Sequence, residues 1–209
     1  MKATTDDIFS YSSLRRPVRW EPDYNGEILD VIRNLMLHMT RSHTKVFLTR
    51  IYIYYQDDLT RMPPEKNETV SRFCEAFALY GELHKVDIKY LWVREISHWT
   101  GKSHYHLLLL IDGDGISDTR NVWLKVVELW RLEVGEGHSC RNVNLRRPGG
   151  EDSQKGGIMI HTDFPGLREM LERSFQWLSY MGQRCNKKDS TMHICGHGHS
   201  HVPADILAF

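Results

Sequence analysis

Cysteine is scarce in this 209-residue sequence, and none of the four (Cys74, Cys140, Cys185, Cys195) forms a CxxC pair. That argues against a disulfide framework or a zinc ribbon and makes reduced thiols the default. No apolar run approaches the ~20 residues needed to cross a bilayer. The opening MKATTDDIFSYSS has no apolar core of the kind a signal peptide carries, so a cytosolic protein without membrane contact is expected. Neither sign of charge is in excess, with 27 basic against 27 acidic residues. The whole-molecule field therefore exerts no general pull on nucleic acid, and any such binding must come from local patches. Three basic clusters qualify: Arg15, Arg16 and Arg19; Arg141, Arg146 and Arg147; and Arg184, Lys187 and Lys188. There is no GxxxxGK[ST] loop and no internal repeat.

What the chain does have is enough apolar material, 41% of residues, to bury a core of ordinary size. The stretch that organises it is KSHYHLLLLID, Lys102 to Asp112. In an extended strand alternate side chains share a face, so His104 and His106 point one way and Tyr105 the other. Two imidazoles one strand repeat apart can bind a single divalent ion if a neighbouring strand supplies a third ligand. An isolated His-x-His more often only hydrogen-bonds, so the rest of the chain must decide.

Residues 1 to 25 carry prolines and polar groups without periodicity and read as an arm. Ile28, Val31, Ile32, Leu35 and Met39 then form a helical stripe from Gly26 to about Arg41. Lys45 to Tyr55 (KVFLTRIYIYY) is a central strand, followed by a loop with Pro63 and Pro64 and a helix over ETVSRFCEAFALYGELHK. Val86 to Ser97 is a second strand, and the HWTGK turn makes it a hairpin with the histidine strand. Asp118 caps a helix over TRNVWLKVVELWRLE. Val134 to Gly157 reads as a long surface loop, GIMIHTD as a fourth sheet strand, GLREMLERSFQWLSYMGQR as a last helix, and the remainder as irregular. Strand, helix, strand, strand, helix, strand predicts an α+β fold: a ferredoxin- or RRM-like split β-α-β with a central antiparallel sheet of four or five strands and flanking helices. The expected divisions are an N-terminal arm and helix over 1–44, a main domain over 45–188, and a His-rich tail over 189–209.

Antiparallel pairing across the hairpin brings Glu95 near His104, so Glu95, His104 and His106 are the candidate metal ligands. His98 competes for the third place, and a salt bridge from Glu95 to Arg94 or Lys102 is the bland alternative. By ligand type the set suits Mn²⁺ or Zn²⁺, and Mg²⁺ if substrate oxygens complete the shell. On the last helix, at 100° per residue, Leu167, Leu171, Ser174 and Leu178 share a core face. Tyr180 falls nearly opposite, alongside Arg173, Gln176, Gln183 and Arg184. Taken alone, Tyr180 reads as an ordinary half-exposed tyrosine, but its neighbours are donors suited to a phosphate. Cys195 and the alternating His193, His197, His199 and His201 read either as a mobile tail or as a zinc site, with Cys185 as a further ligand.

Together, HYH before an apolar run, the upstream glutamate, the FLTRIYI strand and the later helix bearing SY resemble the HUH endonucleases. YLWVREISHWTGKSHYHLLLLIDGDG and SYMGQRCNK are similar to the rolling-circle replication initiators of filamentous phages (inovirus type) and their relatives in bacterial prophages. The resemblance spans about Lys45 to Lys188. It implies the HUH fold and a metal-dependent enzyme that nicks and rejoins single-stranded or locally melted origin DNA. Glu95, His104 and His106 would bind Mg²⁺ or Mn²⁺, with Zn²⁺ as the alternative. Tyr180 would be the nucleophile of a 5′-phosphotyrosine intermediate, assisted by Gln183 and Arg184. Arg50, Arg146, Arg147, Trp177 and Lys187 are the expected DNA contacts. Because no helicase domain is present, a host helicase and polymerase are the expected partners in a bacterial cytoplasm. The family usually has a lysine three residues after its tyrosine, where this chain has Gln183 and then Arg184. A basic, glycine-containing segment downstream is replaced by HICGHGHSH. Two further readings stand beside this one: an origin-DNA- or RNA-binding protein of the same fold with an idle tyrosine, and a zinc hydrolase that uses water as nucleophile.

Overall fold

The structure is a computed structural model that describes residues 23–54, 67–97, 103–116, 118–134, 140–141, 157–184 and 192–202. In chain order its elements are β1 (Asp23–Tyr24), α1 (Gly26–Ser42), β2 (Lys45–Tyr54), α2 (Glu68–Leu83), β3 (Ile88–Ser97), β4 (Ser103–Asp112), α3 (Thr119–Val134), β5 (Cys140–Arg141), β6 (Ile158–His161), α4 (Leu167–Leu178), β7 (Gln183–Arg184) and β8 (Met192–His199). The fold is α+β. β2, β4, β3 and β8 lie side by side, and β5 and β6 share the outer edge of β2. Every pairing in this sheet is antiparallel.

The β2-α2-β3-β4-α3-β6 path gives the spatial order β6-β2-β4-β3, an arrangement compatible with a split β-α-β. The four-leucine run is interior because β4 is the middle strand. Leu108 and Leu110 pack toward α1 and α4, and Leu107, Leu109 and Ile111 toward α2 and α3. With both faces covered, the strand reads as continuously apolar rather than alternating.

α1 begins at Asn25, whose side chain accepts from the backbone N–H groups of Glu27 and Ile28 at 3.1 and 3.4 Å. Its stripe of Ile28, Ile32, Leu35, Met36 and Met39 is buried in one cluster with Leu171, Phe175 and Leu178 of α4. The helix assigned to the N-terminal arm therefore shares its core with the sheet and is not a separate unit. α2 ends in a reciprocal pair of hydrogen bonds, Lys85 N–H to Glu82 C=O (3.1 Å) and Val86 N–H to Gly81 C=O (2.8 Å). This closure places Lys85 at φ 57, a position glycine usually occupies. The Asp118 carboxylate accepts from the Arg120 N–H at 2.8 Å, capping α3 as expected.

Three segments differ from the expectation. α4 stops at Leu178 and tightens into a 3₁₀ turn, Ser179–Gly182, because Gln183 and Arg184 leave the helix to pair with Tyr24 and Asp23. Within the presumed 134–157 loop, Cys140 and Arg141 pair with Ile53 and Tyr52. The largest difference is β8, eight residues of the presumed tail, which line the outer edge of β3. No described helix is long and apolar enough to cross a membrane.

Candidate metal centre and its aromatic surround

One face of the sheet changes chemistry partway along three adjacent strands. On β4 the residues facing α1 and α4 run Leu110, Leu108, His106, His104; on β3, Leu91, Val93, Glu95; on β2, Val46, Leu48, Arg50, Tyr52. The apolar ends of these rows belong to the core under α1 and α4. Register then fixes the polar ends side by side: Glu95 opposite His104, and His106 between Val93 and Tyr52. Tyr105, on the other face, packs against Trp92 as its alternation requires.

Glu95, His104 and His106 are all buried, and their donor atoms converge. Glu95 Oε2 lies 3.0 Å from His106 Nε2 and 3.3 Å from His104 Nε2, and the two Nε2 atoms are 3.2 Å apart. Ligands held about 2.1 Å from one ion lie about 3.0 Å apart on an octahedral face and about 3.4 Å apart in a tetrahedron. The three separations fall in that interval, so the donor set fits a divalent cation by spacing as well as by type. It also leaves the remaining coordination positions to other ligands.

The electrostatics favour the same occupant. Burial pushes the Glu95 carboxyl up, but hydrogen bonds and charge from His104 and His106 outweigh it and hold the group at about 2. Burial pulls His106 below its ordinary value, and the neighbouring His104 and Arg50 act in the same direction against Glu95. Near neutral pH the pair is thus an anionic carboxylate and a neutral imidazole, the forms that bind metals.

His106 Nδ1 is buried with no hydrogen-bond partner, so the orienting bond usual for a metal-bound histidine is missing among the described residues. Rings hold it instead. Tyr52 lies 4.4 Å from it and Tyr180 meets it edge-on at 5.8 Å, centroid to centroid. Tyr180 stands in the 3₁₀ turn after α4 and is 47% exposed. The structure therefore brings the candidate nucleophile to the candidate metal ligands from a separate element.

Arg50 completes the surround. Its guanidinium carbon lies 4.9 Å from the Trp177 ring, 5.2 Å from Tyr180 and 5.6 Å from Tyr52. Two of its nitrogens, Nε and Nη1, are buried without a partner, a deficit of about 1–3 kcal/mol for each such group. Trp177 is half-buried against the α1 and α4 core rather than freely exposed.

The other candidates are distributed differently. Arg94 points to the opposite face, where its Nη1 donates to Asn67 at 3.3 Å, and Lys102, the other ion-pair partner considered for Glu95, lies outside the described residues. Arg173 pairs with Glu169 along the outer side of α4. Gln183 and Arg184 belong to the two-residue β7, and the Arg184 side chain lies outside the described residues. So do Arg146, Arg147, Lys187, His98, Lys102 and Cys185, and the side chains of His193 and Cys195. His197 reaches Glu27 at 3.4 Å and stacks on His199 with centroids 6.5 Å apart. Among the described residues the only metal-competent group is Glu95, His104 and His106. Sequence reasoning missed Tyr52 and the aromatic box around Arg50. The available signal was a charged residue in the middle of an otherwise apolar central strand. Comparison with protein-family models, curated proteins and solved structures gives no match, so donor geometry rather than relatedness carries the functional reading.

Proposed function

We propose that the protein is a metal-dependent single-strand DNA endonuclease of HUH type, breaking and rejoining a strand through Tyr180 as a rolling-circle replication initiator does. The observation that carries this reading is the place of Tyr180: an accessible phenol supplied from outside the sheet, with its ring 5.8 Å from that of His106. A water-using hydrolase would have no need of it there.

Glu95, His104 and His106 would hold the cation from two paired strands, β3 and β4, whose backbone ladder keeps the donors rigid. A bound Mg²⁺ or Mn²⁺, with Zn²⁺ as the alternative, would supply Lewis acidity to the scissile phosphate. The Tyr180 oxygen forms a bond to phosphorus while the bond from phosphorus to the 3′ oxygen breaks, its electron pair leaving on that oxygen. The proton lost by the phenol is matched by the one the 3′ oxygen gains. The products are a 5′-phosphotyrosine ester and a free 3′-hydroxyl that a polymerase extends. Because one phosphodiester replaces another, the reverse attack rejoins the strand without ATP. Single-stranded or melted origin DNA, a host helicase and a host polymerase in a bacterial cytoplasm are the partners this chemistry calls for.

Gln183, standing where the resembled family has lysine, favours a second reading in which the sheet binds origin DNA or RNA and Tyr180 is idle. A labelled single-stranded oligonucleotide pool with Mn²⁺, run on a denaturing gel, separates the readings. The nuclease reading expects an adduct that maps to Tyr180 and is absent from Tyr180→Phe, which still binds the DNA. Binding without an adduct selects the second reading, and cleavage that survives Tyr180→Phe selects a hydrolase.

A further inference from the structure

A guanidinium cannot shed its proton inside a protein, so Arg50 stays charged wherever it is placed. At 8% exposure it has little water to compensate that charge. It forms no ion pair among the described residues, although Glu95 lies near enough for its charge to act on Arg50. Three aromatic rings lie within 5.6 Å of the guanidinium carbon, yet they offer its N–H groups no acceptor atom in line, and Nε and Nη1 remain without a hydrogen-bond partner. A buried, always-charged fork with idle donors is an arrangement that suits a visiting oxyanion. The same sheet face carries the metal-competent trio, and the Tyr180 ring reaches both His106 and Arg50 from the turn after α4.

We propose that Arg50 is the phosphate-binding residue of this site, its idle N–H donors taking the non-bridging oxygens of the phosphodiester that Tyr180 attacks. The assignment rests on the reading of Tyr180 given above. It makes Arg50 a direct ligand of the reacting group, distinct from surface arginines that would follow the DNA backbone at a distance. Cation–π contact with Trp177 and Tyr52 holds the guanidinium in place. A lysine at this position would keep the charge and lose the paired donors.

Two arms test it. In the first, Arg50→Met and Arg50→Lys are compared with the wild type for the rate of adduct formation on a labelled single-stranded oligonucleotide with Mn²⁺. Losing transition-state donors of this kind typically costs about 10²–10³-fold in rate, and that loss is expected for Arg50→Met, with Arg50→Lys intermediate. Mn²⁺ affinity should stay within about threefold, since no metal ligand is removed. The melting temperature of Arg50→Met should hold or rise, because an uncompensated buried charge is gone; a merely structural arginine would lower it. In the second arm, metal-free protein is melted with and without inorganic phosphate, which should raise the wild-type midpoint and leave that of Arg50→Met unmoved. If the wild type forms adducts and Arg50→Met forms them as fast, the assignment falls and the nuclease reading stands. If the wild type forms none yet phosphate stabilises it through Arg50, the nuclease reading falls and the anion site stands. Should Arg50→Met fail to fold, Arg50→Lys decides: an adduct rate equal to wild type overturns the assignment.

Discussion

Glu95 and His104 sit directly opposite each other across the β3–β4 ladder, with Oε2 3.3 Å from Nε2. Because the pairing register sets this contact, the candidate metal ligands are fixed by the same backbone hydrogen bonds that form the sheet. Substituting Glu95→Gln, His104→Ala or His106→Ala should weaken Mn²⁺ or Zn²⁺ binding by at least about tenfold. Isothermal calorimetry on metal-stripped protein measures this, and an unchanged affinity in all three variants would rule the trio out as the binding site.

The low Glu95 pKa gives metal-free protein a defined acid response. Its folded value of about 2 lies below the ordinary 4.5, so the unfolded chain binds the proton more readily. The resulting stability is present in full above about pH 4.5 and is lost as the pH falls from there toward 2. The fall from 4.5 to about 2 is worth at most about 3 kcal/mol. Urea titrations between pH 6 and pH 3 should therefore show a midpoint that drops with acid. In Glu95→Gln that drop should be shallower.

β8 depends on residues without side chains. A Cβ on Gly198 would come within 2.7 Å of the Trp92 ring. Gly198→Val should thus destabilise the protein by about 1–3 kcal/mol through overpacking. His199→Thr, on the exposed side of the same strand, should stay within about 0.5 kcal/mol. Equal urea midpoints for the two variants would contradict the pairing of β8 with β3.

Lys85 holds φ 57 at the end of α2 without the conformational freedom of glycine. Left-handed backbone costs an ordinary residue about 1–2 kcal/mol, while glycine adds some entropy to the unfolded chain. Lys85→Gly should therefore stabilise by a net of about 0.5–1 kcal/mol, seen as a higher urea midpoint with metal affinity unchanged.

Where periodicity and composition agreed, the sequence was readable. KVFLTRIYIY and LLLLI combine β-branched or apolar residues with turn signals at their ends, and both are strands. The Glu95, His104 and His106 trio followed from alternation and one short turn. The end of α4 was hidden because the pull on Gln183 comes from Tyr24, far away in sequence. β8 was hidden for a different reason. HGHSH alternates as a strand does, but glycine has low strand propensity, and only the Trp92 ring across the pairing explains why glycine is needed there. Arg50 was legible as a basic residue; its aromatic box was not, since Trp177 and Tyr180 reach it from another element.

The placement of β8 along β3 has one more consequence. A strand of ten residues with one unclaimed row of N–H and C=O groups is a template for a second chain. Trimming the protein before Met192 would expose that row, and the shortened product should self-associate into β-rich aggregates even if the Glu95, His104 and His106 trio were intact.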